Sequence, residues 1–296
     1  MMWGSRSGLV ALVGGIVIGS CGIANADGMY GGAANWTGCY LGANIGGVGD
    51  NSSYHLAPSG NYLNPAGLSA PPNPGGTGAL PGDLTSVTHN YSGTDWAFQG
   101  GGQVGCNLQT GSFVFGFEAD VQGTGADQSI FAGYGPIVSA NPAFTIAPHT
   151  ETVSDRLDWY STVRGRLGFT WDYFLAYGTG GLVVGGVTSR TDVAFGNFGV
   201  NPVYNNAVHV GSFSEDRTGW VAGGGLEYAL SHNWSIKGEY LHLDLGSFNY
   251  HSPLIAPAGV ASGYSWSTHV RNSEEVARVG INYRFGDCCR EYSALK

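Results

Sequence analysis

Eight stretches of this sequence alternate between apolar and polar residues, and the connections joining them are short and long in turn. The last stretch is the clearest. From Glu275 to Phe285 the odd positions Ala277, Val279, Ile281, Tyr283 and Phe285 are apolar, while the even positions include Arg278, Asn282 and Arg284. A period of two marks a strand with one greasy and one wet face. The others read as Trp36–Gly47, Asp95–Leu108, Phe113–Thr124, Arg156–Phe169, Tyr173 to about Arg190, Arg217–Leu230 and Trp234–Phe248, and the last begins at Arg271. Short hairpin turns join the second to the third, the fourth to the fifth and the sixth to the seventh. The remaining connections, Val48–Thr94, Gly125–Asp155, Thr191–Asp216 and Asn249–Val270, are long and rich in Gly, Pro, Asn and Ser. A compact soluble domain rarely carries four such loops. A barrel that crosses a bilayer has this asymmetry by rule.

Composition narrows the choice. Only 11% of the 296 residues are charged, 12% are aromatic and 51 are glycine. A soluble surface is about a quarter to a third charged, so most of this surface does not face bulk water. No internal run of about 18–20 apolar residues is present, which excludes spanning helices. The net charge of -9 argues against nucleic acid as a partner. The fold expected is all-β: an eight-stranded antiparallel up-and-down transmembrane β-barrel over residues 36–285, with four long extracellular loops. Residues 1–26 read as an export signal, with Arg6 ahead of an apolar Leu9–Ile18 segment too short to span. Ala24-Asn25-Ala26 offers a cleavage site, and Ile18-Gly19-Ser20-Cys21 offers a competing lipobox. Residues 27–35 read as a periplasmic linker and 286–296 as a disordered periplasmic tail.

The low charge and the export signal decide which face of the wall points outward. With apolar side chains in lipid, the lumen collects Arg164, Arg166, Lys237, Arg278 and Arg284 with Glu118, Asp120, Glu227 and Glu239. The two signs nearly balance, as they must where desolvation makes unpaired charge costly. Eight strands leave room only for side chains, so these residues read as a structural ion-pair network rather than a permeation path. In this assignment Leu157 shares the outward phase with Trp159 and Val163, and Asp158 the inward phase with Arg164. Trp36, Trp96, Trp171, Phe174, Trp220 and Trp234 suit interfacial girdles. Two strands are untidy: Leu241, Leu243 and Leu245 continue the series that Lys237 and Glu239 set as inward, which asks for a bulge near Tyr240–His242 or emergence above the bilayer. The glycines 178, 180, 181, 185 and 186 leave the fifth strand without a clear phase.

The segment Asn35-Trp36-Thr37-Gly38-Cys39-Tyr40-Leu41-Gly42 resembles the first strand of the outer-membrane immunogenic protein and opacity-like porin family of Gram-negative bacteria. Phe117-Glu118-Ala119-Asp120, Val163-Arg164-Gly165-Arg166, Gly224-Gly225-Leu226-Glu227, Ile236-Lys237-Gly238-Glu239 and Arg278-Val279-Gly280-Ile281-Asn282-Tyr283-Arg284-Phe285 are similar to its later strands. The resemblance implies residence in the cell outer membrane, a role in envelope integrity, adhesion or antigenic surface display, and biogenesis by the barrel-assembly machinery. Two departures stand out. Cys39 and Cys106 replace expected aromatics near the periplasmic ends of neighbouring strands, either as a disulfide or as two lipid-facing thiols. The chain also continues past Phe285 through Cys288 and Cys289.

Chemistry beyond this is sparse in the sequence. His55, His89, His149, His209, His251 and His269 fall in the long connections and lack ligand spacing, so they read as scattered and solvent-exposed. Some relatives bind haem, but no cofactor is assigned on these residues. No Gly-x-Ser-x-Gly or paired Ser/His arrangement points to an enzyme. The reading is a structural and surface-interaction protein whose partners are outer-membrane lipid, lipopolysaccharide and host or environmental ligands reached through the loops. A narrow porin for small solutes is the alternative.

Overall fold

The computed structural model describes residues 34–60, 87–136, 147–197, 206–256 and 264–285. The segment read as an export signal, most of the segment read as a linker, the segment read as a tail with Cys288 and Cys289, and parts of the long connections lie outside the described residues. Ten strands form one antiparallel sheet: β1 Gly38–Asp50, β2 Ser53–Gly60, β3 His89–Ser92, β4 Asp95–Thr110, β5 Phe113–Tyr134, β6 His149–Trp171, β7 Phe174–Phe195, β8 Val208–Ala229, β9 Trp234–Ala256 and β10 Tyr264–Phe285. Eight of them run β1-β4-β5-β6-β7-β8-β9-β10, and β10 pairs back onto β1 from Cys39↔Phe285 to Asp50↔Glu274. Over the height that β1 spans, closure leaves this ring without a free edge, the condition for backbone to cross hydrocarbon.

Three tight turns lie at one end. Gly111 takes a positive φ between β4 and β5, and Asp172 does the same between β6 and β7. Between β8 and β9 the Trp234 carbonyl accepts bonds from the Leu230 and Ser231 amides. On the wall above them Leu41, Phe98, Phe117, Val121, Val163 and Leu182 face outward and are more than half exposed. Trp96, Trp171, Phe174, Trp220 and Trp234 are also outward. On β6 this outward apolar run reaches from Trp159 to Trp171, roughly 25–30 Å once tilt is allowed for, the height of an outer-membrane apolar band.

The strands do not stop at the upper girdle. The segments read as loops carry ladder far beyond it: β5 to Tyr134, β6 from His149, β7 to Phe195, β8 from Val208, β9 to Ala256 and β10 from Tyr264. The β1–β4 connection also holds a hairpin, in which β2 extends the wall along β10 where β1 ends. Among the described residues strand β3 pairs only with β2, and it is the last strand in the sheet order.

The phase of the wall changes at the girdle. Register shifts fall between Gly123 and Ala126 on β5, between Leu157 and Trp159 on β6, and at Leu245 where β9 meets β10. Below the β6 shift Tyr160, Thr162 and Arg164 point in; above it His149, Glu151, Val153, Asp155 and Leu157 do. Leu157 is therefore buried and Asp158 exposed, the reverse of the sequence assignment, because one extra residue at a bulge inverts every later side chain. On β9 the expected break near Tyr240–His242 lies higher. Leu241, Leu243 and Leu245 all point inward, and Gly246 with φ +80° turns the phase so that Phe248 and Tyr250 follow. Trp36 also departs from expectation: it is buried at the periplasmic mouth against Val114, Leu175 and Tyr177, its Nε1 donating to Thr170 Oγ1 at 2.8 Å.

Candidate functional site in the barrel lumen

Inward alternation puts a basic residue or a carboxylate on neighbouring strands at one height: Glu118 and Asp120 on β5, Arg164 and Arg166 on β6, Glu227 on β8, Lys237 and Glu239 on β9, Arg278 on β10. All eight are buried. Arg164 touches three carboxylates, with Nη2 at 2.5 Å from Glu118 and 2.8 Å from Asp120, and Nη1 at 3.0 Å from Glu239. Arg278 bridges Asp120 at 2.9 Å and Glu239 at 2.5 Å. Lys237 Nζ sits 2.8 Å from both oxygens of Glu118. Arg166 pairs with Glu227, which also accepts from Ser235 at 2.5 Å and Asn282 at 2.9 Å. Four cations thus meet four anions.

Two tyrosines hold this cluster to the wall. Tyr40 Oη donates to Glu118 at 2.6 Å, and Tyr177 Oη donates to Glu239 at 3.0 Å while its ring lies 3.6 Å beneath the Arg166 guanidinium. Glycines make the room: a Cβ on Gly105 would stand 2.5 Å from Tyr40 Oη, and one on Gly225 would stand 2.7 Å from Tyr177 Oη. Arg284 lies one layer lower, with its guanidinium 5.2 Å over the Trp36 ring and bonded to the Asn35 carbonyl.

Further layers fill the rest of the lumen. Asn44, Gln103 and Asn282 form a chain of amides beside the ion pairs. At the level of the upper girdle stands a second acidic group absent from the sequence reading. Asp155 accepts from Asn272 Nδ2 at 2.6 Å and Ser52 at 3.3 Å, while Glu274 is fully buried and Asp50 nearly so. Burial, reinforced by Asp50, lifts the Asp155 carboxyl to about 7. Asp50 and Asp155 fall in the long connections of the sequence, so only the inward phase of Glu274 signals the group there. An apolar core that includes Leu56, Val153, Leu157, Leu241, Leu243 and Trp266 closes the space above.

The loop histidines are not uniformly exposed. His55, His251 and His269 are, but His149 and His209 are buried and His89 is half-buried. Burial depresses His209 to about 4, so it is neutral at ordinary pH. The cysteines face each other across the β1–β4 ladder on the outer wall, with the sulfurs bonded at 2.06 Å.

A closed ring of eight antiparallel strands, greasy outside and charged within, is a transmembrane β-barrel. The chain matches the outer membrane protein beta-barrel domain over residues 16–285, and it belongs to that family. It is 33% identical over 253 residues, 85% of this chain and 84% of the relative, to the 31 kDa outer-membrane immunogenic protein of Brucella melitensis biotype 1. It is 28% identical over 206 residues to the 22 kDa outer membrane protein of Rhizobium leguminosarum bv. viciae, covering 69% of this chain and 72% of that one. Its place is the cell outer membrane, among outer-membrane lipids.

Removing one member of a buried pair leaves the others uncompensated, at a cost of about 3–5 kcal/mol. Arg164→Met should therefore lower the denaturant midpoint of the detergent-folded barrel strongly. Arg190→Ala, which removes a cation more than half exposed in its pair with Asp192, should change the unfolding free energy by less than about 1 kcal/mol. Asp155 supplies a pH test. Its folded pKa lies above its unfolded value, so the folded state holds a proton that the unfolded chain has lost between about pH 4 and 7. Stability from this group is full below that window, falls through it by at most about 4 kcal/mol, and is flat above. Asp155→Asn should reduce the slope, leaving the part due to Asp50 and Glu274, whose carboxyls burial also raises, and should raise the midpoint at pH 8, measured by urea unfolding across pH.

Proposed function

We propose that this protein is a closed outer-membrane barrel that supports the envelope and presents a rigid extracellular surface, rather than a solute channel. The observation that carries this is the filled cross-section at Glu118, Asp120, Arg164, Lys237, Glu239 and Arg278, each 6% exposed or less. A permeating solute would have to part ion pairs whose separation in a low-dielectric interior is costly. Above the lipid band, β6 continues for the ten residues 149–158, roughly 30 Å of extended strand. The apolar core inside that extension stiffens it, so the described upper part of the wall stands well clear of the membrane. That suits adhesion or antigenic display, and the Brucella relative is itself named immunogenic. The girdle and its outward apolar wall suit lipid and lipopolysaccharide, and β10, ending on Tyr283-Arg284-Phe285, suits handling by the barrel-assembly machinery.

The Cys39–Cys106 bond belongs to the same reading. It would form in the oxidising periplasm and fix β1, the strand on which the ring closes, to β4. Denatured mature Cys288→Ser/Cys289→Ser protein should show no free thiol before reduction and two afterwards. Two thiols before reduction would remove the bond from the account. For the lumen, planar-bilayer recording of the purified barrel should show no discrete conductance steps. Reproducible single-channel steps would favour the narrow porin instead.

A further inference from the structure

Above the bilayer the wall has a seam. β5 pairs with β4 only as far as Gln99↔Thr124, so its upper part up to Tyr134 has no ladder on that side. β3 faces it as the last strand of the β10-β2-β3 wing, with no ladder of its own to β5 or β6 among the described residues. Side chains bridge this gap. Tyr91 Oη on β3 meets Tyr134 Oη on β5 at 2.7 Å and donates to Glu151 on β6, and the His89 ring stacks on Tyr134 at 3.8 Å.

We propose that His89, His149 and Glu151 form a site at this seam for a divalent transition metal of the zinc class. β6 sets His149 and Glu151 two residues apart, on the same inward face, and β3 brings His89 from the far end of a long connection. His89 Nδ1 is 3.0 Å and His149 Nε2 is 3.2 Å from the same oxygen, Glu151 Oε1. All three donor atoms lie within 4.8 Å of one another. Tetrahedral zinc with bonds of about 2.0–2.1 Å places its ligand atoms about 3.3 Å apart, so two edges of the polyhedron already stand at nearly the required length. Two imidazoles and one carboxylate select zinc, copper or nickel over calcium or magnesium, which take all-oxygen sets. Three protein ligands leave a fourth position for water.

Two further observations favour a metal over a plain hydrogen-bonded cluster. His149 is 2% exposed, yet neither ring nitrogen makes a hydrogen bond, even though Nε2 stands close to Glu151. A metal at the vertex would engage that idle lone pair. The supports are those of an oriented ligand set: Tyr91 fixes Glu151, and the His149 ring is stacked between Tyr134 at 5.0 Å and Phe195 at 4.9 Å. An open cleft lined by Tyr134, Pro148, His149, Phe195 and Gly196 borders His149. A bound ion would staple the β2–β3 wing to β6 where the backbone ladder does not.

The test uses the full mature protein folded in detergent and stripped with chelator. Calorimetric titration with zinc should give one ion per chain, and cobalt should give the visible bands of a tetrahedral site. His89→Gln and His149→Ala should each weaken zinc at least on the order of 100-fold, with folding checked by heat-modifiable migration. His251→Ala, at an exposed position, should leave affinity unchanged. On the unaltered chain, zinc should protect the half-buried His89, but not His55 or His251, from carbethoxylation read by mass spectrometry. Absence of stoichiometric zinc binding, undiminished affinity in the His89→Gln/His149→Ala double variant, or equal modification of His89 with and without zinc would overturn the site.

Discussion

The ion pairs around Arg164 are what the rest of this barrel is arranged to permit. A bilayer demands that every backbone group be bonded within the wall, so the strands must close, and closing eight of them encloses a space the width of side chains. Whatever points into that space is cut off from water. Charge there survives only if it is matched, and Arg164 is matched three times over by Glu118, Asp120 and Glu239. Each partner comes from a different height or strand, so the network also ties β5, β6, β9 and β10 across the lumen. The backbone ladder holds neighbours; the charges hold opposite walls.

Such a cluster takes volume, and the glycine content supplies it. Gly105 and Gly225 are inward positions where a methyl group would collide with Tyr40 or Tyr177, the two rings that orient Glu118, Glu239 and Arg166. Read along the fifth predicted strand, the glycines erased the alternation. Folded, Gly181 takes an inward place opposite Arg164, where a Cβ would collide with the Val163 carbonyl oxygen and stand 2.7 Å from Arg164 Cα, so the missing side chain lets the β7 and β6 backbones approach. Absence of pattern in the sequence was here a mark of close backbone approach to the next strand.

Within the lipid band the sequence was legible because two solvents of opposite character press on the two faces. Val163 and Leu167 against Arg164 and Arg166 leave little ambiguity. The tall extension was not legible for the converse reason. Above the girdle the outside is water and the inside is a mixed core, so β6 reads His149, Glu151, Val153, Asp155, Leu157 inward and Thr150, Thr152, Ser154, Arg156, Asp158 outward. Polar residues stand on both faces, the period of two blurs, and Gly- and Ser-rich strand looks like loop. The juxtaposition of His89 with His149 was out of reach for another reason: it depends on β3, a four-residue strand whose position is set by pairing with β2 rather than by any spacing in the chain.

The register shifts on β5, β6 and β9 follow from the same change of solvent. A strand that ran on unbroken from the lipid band would keep its membrane phase into water. On β6 that would turn Leu157 out and Asp158 in, toward the apolar core. One extra residue at the boundary reverses this without breaking the strand, because side chains alternate with a period of two. Leu157 then packs with Val187 and Leu243 in a core like that of a soluble protein, and Asp158 pairs with Arg156 in water. The bulges mark where one continuous wall stops being a membrane protein and becomes an extracellular one.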